Sequence, residues 1–467
     1  MGFVLSILYL VVTYLSPAAI LGPLAQYRVE MILAVLILVV SLPRLIGSFV
    51  LKAPQTLALV GMVVAVFLSI LSGLHWLTGA FQACADFLPS VYAYFIVVLH
   101  CTTKRRLKIM ALMLLFVCLF VLAHGAFDLL HGIPDGGPPL SQDTGRVDLV
   151  RWNAEHPYLF AMASDDGNWF YRLRGLGTVN DPNDFGQLVV IAIPLMFFFW
   201  VPKKAGRNFL FVLLPVSILL VTVFLTHSRG ALMALTVMAV LTARRRIGLV
   251  PAAVLAGCVF VGAIALQFTG GRAISASAGE DRTSLWGEGL AVLKTHPVFG
   301  VGFNQLPDYT DNHLTAHNSV IVCASELGMF GLYFWSLFLL PTMRDVVVIA
   351  SPERVSEGEP IVREQPQLPG PLKKFETLEP DEINSMARLL LLSMAGFLVT
   401  GWFLSRAFAL TLFLMGGMVE VVYQMALERG MTIPRMRYLR VLIYSGGLAV
   451  VFVVVMYLLV RALNLAH

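Results

Sequence analysis

Apolar residues run along most of this chain in stretches long enough to cross a bilayer, and polar residues collect in short clusters between them. A helical crossing needs about 20 mostly apolar residues for a hydrocarbon core of roughly 30 Å. Such stretches lie near 3–20, 30–49, 57–73, 87–101, 108–126, 185–201, 208–226, 229–244, 249–268, 317–341, 387–404, 407–426 and 440–460, about thirteen in all. The pattern predicts an all-α, polytopic integral membrane protein with about 12–13 transmembrane helices.

The basic residues set the orientation. Lys104, Arg105, Arg106 and Lys108 form one cluster, and Lys203, Lys204 and Arg207 a second. Arg244, Arg245 and Arg246 form a third, and Arg435, Arg437 and Arg440 a fourth. An even number of apolar stretches separates each cluster from the next, so all four are expected on the cytoplasmic side. The same parity places the N-terminus inside and the C-terminus outside. The first stretch has no basic flank and is read as a retained helix rather than a cleaved signal peptide. The chain then divides into N-terminal transmembrane helices (1–126), an outer loop (127–184), further helices (185–268), an outer loop with a short amphipathic helix (269–316), a transmembrane helix (317–341), a flexible cytoplasmic linker (342–386) and C-terminal transmembrane helices (387–467).

With 58% hydrophobic and 13% charged residues, the composition is far from that of an ordinary soluble domain. The net charge of +5 does not imply a nucleic-acid partner, because the Lys and Arg are spread over inter-helix loops. Cys84, Cys101, Cys118, Cys258 and Cys323 fall mostly within apolar stretches, form no metal or disulfide pattern, and read as small buried apolar residues.

The three long polar segments differ in character. The 342–386 segment contains "SPERVSEGEPIVREQPQLPGPLKKFETLEPDE", a mixture of Pro, Glu and Lys with no apolar period, which cannot bury enough surface to offset the entropy of ordering. The 127–184 segment carries Trp152, Tyr158, Phe160, Trp169, Phe170 and Tyr171, which suit either sugar stacking or an interfacial belt. In 269–316, "EDRTSLWGEGLAVLKTHP" sets Trp286, Leu290 and Leu293 at helical spacing, with Arg282 one turn earlier and Pro297 closing the run. This predicts an amphipathic helix at the outer interface, its apolar face toward the lipid boundary or a cavity. Arg282 is then aimed where a phosphate headgroup lies, although an interfacial arginine also snorkels without binding. Gly300 and Gly302 in "VFGVGFN" suit a tight turn more readily than an anion nest.

The stretch "LTHSRGALMAL" joins two crossings whose cytoplasmic ends are marked by Arg207 and Arg244, leaving about 36 residues where about 40 and a turn are ordinary. The tip falls short of the outer surface, and Arg229 is recessed there, which is costly unless it lines water or meets an acid. Glu326, inside the tenth stretch, is the first candidate partner, and such a pair would equally serve to lock helices. His317 and Asn318 stand at the outer end of the same stretch. A neutral imidazole there can take a proton from a sugar hydroxyl, although a helix-end histidine also serves as a cap. His313, one turn earlier, is the weaker base. Arginine forks match phosphate oxygens bidentately, so two of them beside a histidine suit a diphosphate leaving group and a hydroxyl nucleophile.

Four motifs in order, "RGLGTVNDPNDFGQLVVIAIPL" from Arg174 to Leu195, "THSRGALMAL", "DRTSLWGEGLAVLKTHPVFGVGFN" and "AHNSVIVCASELGMFGLYFW", resemble the O-antigen ligase and polymerase superfamily over roughly residues 174–341. Outside that region, 1–126 and 387–467 match only as generic hydrophobic helices. The resemblance implies a GT-C-like glycosyltransferase of the bacterial inner membrane with its active site facing the periplasm. It implies transfer of glycan from an undecaprenyl-diphosphate-linked oligosaccharide donor to a hydroxyl of a glycan or lipid A core acceptor, with inversion and without a metal or other cofactor. By the same resemblance, Arg229 and Arg282 hold the diphosphate and His317 is the general base. Arg174, Asn180, Asn183, Asn318, Glu326 and Trp286 complete the expected substrate-binding set. Asp181 and Asp184, beside Asn180 and Asn183, make a poor metal site without a third ligand and read better as capping the sixth helix.

Ligase, polymerase and protein O-glycosyltransferase remain open in the sequence. The first two are favoured because no extra soluble domain is there to dock a protein acceptor. The alternative from another class is a secondary transporter. Transporters place polar residues near the midplane in matching halves, whereas here they gather on one side without a repeat. Expected partners are membrane lipid, the lipid-linked donor and the glycan acceptor, and no nucleic acid.

Overall fold

The computed structural model describes residues 1–19, 27–46, 48–131, 133, 138, 148–163, 169–265, 276–351, 375–434 and 436–465. In chain order the helices are α1 (Gly2–Leu15), α2 (Val29–Leu45), α3 (Pro54–Leu74), α4 (Leu77–His100), α5 (Lys104–His131), α6 (Leu149–Glu155) and α7 (Pro182–Met196). They continue with α8 (Ala205–Thr226, with one π turn at Phe209–Leu213), α9 (Arg229–Ile247), α10 (Leu249–Ala265), α11 (Ala276–Thr295), α12 (Ser319–Ile349), α13 (Pro380–Gly401), α14 (Leu410–Glu428) and α15 (Tyr438–Leu465). Between α6 and α7 lie two short strands, β1 (Leu159–Ala163) and β2 (Trp169–Leu173).

Among the described residues each apolar stretch is largely helical, so the all-α polytopic reading holds. Ten helices among the described residues are long and apolar enough to cross a membrane. Of the other expected crossings, α2 and α10 have 17 residues each, and α9 begins with Arg229 and carries Arg244 and Arg246 near its end. The long helix α12 is the hub, packing on α3, α13, α14 and α15, with Leu332, Leu337 and Phe338 wholly buried. In contrast α8 and α15 turn Val221, Leu220, Val450, Val451 and Val454 outward. Exposed apolar faces of that extent suit contact with lipid.

Several boundaries move. Helix α4 starts ten residues before the expected 87, because Pro89 sits within it without ending it. Helix α5 runs on to His131, and the rest of the 127–184 loop holds α6 and an antiparallel hairpin that pairs Leu159 with Leu173 and Ala163 with Trp169. Trp152 and Tyr158 are buried in this small unit, so they are packing residues rather than an open sugar platform; Phe160, Trp169, Phe170 and Tyr171 remain partly exposed. The expected 342–386 linker is shorter, because α12 continues through Pro341 to Ile349 and α13 resumes at Pro380. Its central part, 352–374, lies outside the described residues. The predicted amphipathic helix is present as α11, but Leu285, Trp286, Val292 and Leu293 are buried against protein, α12 and α15 being its main helical neighbours.

Helix α12 breaks at Gly328, which has φ 65° and ψ −170°. The loop after α11 pairs the backbone groups this frees. Val301 and Gly302 donate to the carbonyls of Ser325 and Glu326 at 3.0 Å each, while Met329 and Phe330 donate to those of Pro297 and Val298 at 2.9 and 3.1 Å. Gly300, also at positive φ, and Gly328 lie so close to the opposing backbone that a Cβ on either would collide with it. These glycines therefore serve close backbone approach, as a turn, and not an anion nest. Gly328→Ala combines that collision with a left-handed backbone, and is expected to cost about 1–3 kcal/mol. A clearly lowered unfolding temperature of the detergent-solubilised protein is the expected result.

Candidate active site at three helix N-termini

Three helix starts meet at one end of the bundle. Asp181 caps α7, its carboxylate accepting from the Asn183 N–H at 2.7 Å, with Pro182 in the first turn. Ser228 caps α9, its hydroxyl accepting from Ala231 N–H at 3.3 Å. Asn318 caps α12, its side-chain oxygen accepting from Val320 and Ile321 N–H at 3.0 and 3.2 Å. The starts are adjacent: a Cβ on Gly186 of α7 would lie 3.1 Å from the Ser228 side chain, and one on Gly401 would lie 3.2 Å from Ser319 Oγ and 4.0 Å from Gln187 Nε2. Each N-terminus carries roughly half a positive charge, so the arrangement favours an anion.

The hairpin closes one side. Arg172 on β2 is buried and donates to the Thr226 carbonyl at 2.9 Å and to Asn183 Oδ1 at 2.8 Å, tying the start of α7 to the turn before α9. Phe170, on the same strand face, meets His227 edge-on at 4.8 Å.

The link from α13 to α14, residues 402–409, closes another. Asn318 Nδ2 donates to the Trp402 carbonyl at 3.1 Å and Ser319 Oγ to that of Leu404 at 2.8 Å. The His317 N–H donates to Ser405 Oγ at 3.0 Å, and the Ser405 hydroxyl also meets Thr315 Oγ1 at 2.7 Å. These contacts hold His317 at φ 47°, a conformation that non-glycine residues avoid unless their surroundings dictate it. Arg406 of this link is ion-paired with Asp184 of α7.

The charges converge on this enclosure. Arg229 is the first residue of α9 and is half-buried. The Arg282 guanidinium lies 5.8 Å from the centre of the Phe403 ring, has no ion pair among the described residues, and is lowered from the ordinary arginine value by burial and by the like charge of Arg229. His317 is half-buried, and its imidazole has no hydrogen-bond partner among the described residues. Burial first, and Arg282 next, hold that imidazole below the usual histidine value, with Asp181 pulling the other way. Arg406 is lowered by burial to about 10, again opposed by Asp181.

Residues 214–336 match the O-antigen ligase family profile. This segment is similar to the O-antigen ligase family. The match supports a glycosyltransferase of the O-antigen ligase or polymerase type, which is expected to use a lipid-linked glycan donor and a glycan acceptor. No curated protein matches the chain significantly. The matched segment runs from α8 into α12 and contains Arg229, Arg282 and His317. Asp181, Asp184, Arg172 and Arg406 lie outside it and reach the same enclosure through the fold.

The remaining expected residues divide. Asn318 and Asn183 sit at the enclosure, the first as cap, the second as acceptor of Arg172. The Trp286 indole of the matched segment meets Trp402 edge-on at 6.4 Å, and its buried N–H has no acceptor among the described residues. Arg174 is spent on structure, donating to the Pro157 carbonyl at 3.1 Å and Asn153 Oδ1 at 3.0 Å, and Asn180 is exposed. His313 is exposed, with Nδ1 3.2 Å from the Pro307 carbonyl. The expected pairing of Glu326 with Arg229 is not found. The loop at the α12 break brings the Asn304 N–H to the Glu326 carboxylate at 3.0 Å, so a backbone donor serves this buried acid. Arg172, Ser405 and Arg406 were not singled out in the sequence, and Asp184, expected there as a capping residue beside Asp181, is instead the partner of Arg406.

Proposed function

We propose that the protein moves a glycan from an undecaprenyl-diphosphate-linked donor to a hydroxyl of a glycan or lipid A core acceptor, on the periplasmic face of a bacterial inner membrane. The observation that carries this reading is the placing of Arg229, Arg282 and the free imidazole of His317 together at three helix N-termini. Arg229 and Arg282 grip the diphosphate, supplying positive charge where the leaving group develops its negative charge. His317, neutral near pH 7, accepts the acceptor hydroxyl proton as that oxygen bonds to the anomeric carbon. The bond from that carbon to the diphosphate oxygen breaks on the opposite face, so configuration inverts and the lipid diphosphate departs. The fixed cations and helix ends take the place a metal holds in other transferases, and transfer is expected to be metal-independent.

Two further features support the reading. An apolar groove of about 740 Å³ runs between α11 and α15, lined by Leu290, Val454, Leu458 and Val460 among others, and its lining begins at Gly287, next to Trp286. Such a groove suits an isoprenoid chain whose head lies at Arg282. The alternating basic clusters support a topology with 127–184 and 269–316 on the periplasmic side and 342–386 on the cytoplasmic side. A reporter active only in the cytoplasm, fused near Asp308, is expected to stay silent.

The direct test is release of lipid diphosphate by purified protein from an undecaprenyl-diphosphate-linked glycan, with acceptor, with and without chelator. Release unaffected by chelator is expected. Failure to cleave the donor with a panel of acceptors would overturn the proposal.

Ser405 offers a finer check, because it touches the backbone of His317 and Thr315 and not the imidazole. Ser405→Ala should lower turnover about tenfold by loosening the base, and Ser405→Thr, which keeps a hydroxyl, should restore much of it.

A further inference from the structure

A second cluster of cations lies at the other end of the bundle. Helix α1 connects the two ends: Ser16, following it, abuts Gly177 just before α7, while Gly2 abuts the ring of His100. His100 ends α4 and is wholly buried. Its Nδ1 lies 2.6 Å from Nη1 of Arg44, and its Nε2 lies 2.8 Å from Ser41 Oγ, both from α2. A guanidinium only donates, so Nδ1 must accept, Nε2 carries the proton, and the ring is neutral. Arg106 of α5 donates to the His100 carbonyl at 2.7 Å and lies 5.1 Å from the centre of the Phe3 ring.

Two permanent cations are thus drawn in against one neutral imidazole. Neither Arg44 nor Arg106 has an ion pair among the described residues, and each is half-buried. The nearby acids are engaged elsewhere: Glu382 pairs with Lys104 at 2.8 Å and Glu376 accepts the Lys104 backbone N–H at 2.6 Å. Arg44 donates to the His100 ring, and Arg106 to the His100 carbonyl and, at 3.4 Å, to Thr102 Oγ1, but the remaining guanidinium N–H groups have no acceptor among the described residues. Arginines that only report orientation extend into water. Arg44 is instead fixed on the buried ring of His100 and Arg106 on its backbone carbonyl, at a spacing set by three helices, which is costly for like charges unless an anion joins them.

We propose that Arg44 and Arg106, braced by His100, form a binding site for the phosphate of an anionic phospholipid in the leaflet opposite the candidate active site. The ligand chemistry is a phosphodiester or phosphomonoester with a free anionic edge. A membrane lipid headgroup and a soluble phosphate ester share it, and the site does not depend on the transfer reaction proposed above.

Native mass spectrometry of the full chain in detergent tests this, with short-chain phosphatidylglycerol, phosphatidylcholine of the same chain length, and free glycerol phosphate as probes. Wild type should retain phosphatidylglycerol in preference to phosphatidylcholine. The Arg44→Gln, Arg106→Gln double variant should bind it at least about tenfold more weakly, whereas Lys203→Gln, an exposed basic control, should not change. Glycerol phosphate displacing the lipid at equal concentration would keep the phosphate site and assign it to a soluble ester. Equal retention of both lipids by wild type, or unchanged phosphatidylglycerol binding in the double variant, would overturn the proposal. If the double variant does not fold, Arg44→Lys keeps the charge but loses the fork, and unchanged binding there would overturn it equally.

Discussion

His317→Ala should slow glycan transfer by about 10²- to 10⁴-fold, the usual cost of removing a positioned base, with the protein still folded and donor binding little changed. The contacts that hold this segment come from the His317 backbone and from Asn318 and Ser319, so truncating the imidazole leaves the scaffold in place. The pH profile carries the same signature. Burial and Arg282 lower the imidazole from its ordinary value, so the neutral, proton-accepting form persists to lower pH than for a free histidine. The acid limb of the rate should therefore fall below about pH 6.5. Conversely, Arg282→Gln should move that limb upward by removing one of the two lowering causes. Near-normal turnover of the alanine variant would leave His317 a helix-end residue and nothing more.

Arg229→Lys and Arg282→Lys should each leave a well-folded protein with badly impaired transfer and weakened donor binding. Lysine keeps the charge but offers a single point where a fork makes two parallel bonds, and lost charge-assisted hydrogen bonds cost about 1.5–3 kcal/mol each, or roughly 10- to 150-fold. Turnover and thermal unfolding measured on one preparation decide the matter. Normal turnover with a lowered unfolding temperature would make the residue a helix lock. For Arg229 that alternative has lost its expected partner, since Glu326 is served by the Asn304 backbone.

The apolar stretches, their flanking charges and the four ordered motifs made the helical architecture readable before any coordinates, because lipid imposes one length and one composition on each crossing. The N-cap role of Asp181 was readable for a similar reason: it depends on residues two positions apart. What could not be read depends on contacts between distant parts of the chain. Nothing local in "FLSRAFAL" marks Arg406 as the partner of Asp184, or Ser405 as the support of His317. Gly328 gave no warning of the break in α12, since an isolated glycine within a helical pattern is common, and without the break the loop carrying Asn304 could not reach Glu326. Arg172 likewise looked like one more polar residue in an aromatic loop until the hairpin turned its strand face toward Asn183 and Thr226.

On the function proposed above, three helix N-termini with their paired arginines would recognise a diphosphate whether or not sugar is attached to it. A spent carrier lipid is then held about as firmly as a loaded one, and more so once its new terminal charge has developed. Turnover on that reading would be paced by departure of the used carrier, and empty lipid diphosphate in the membrane would act as a brake on glycan transfer.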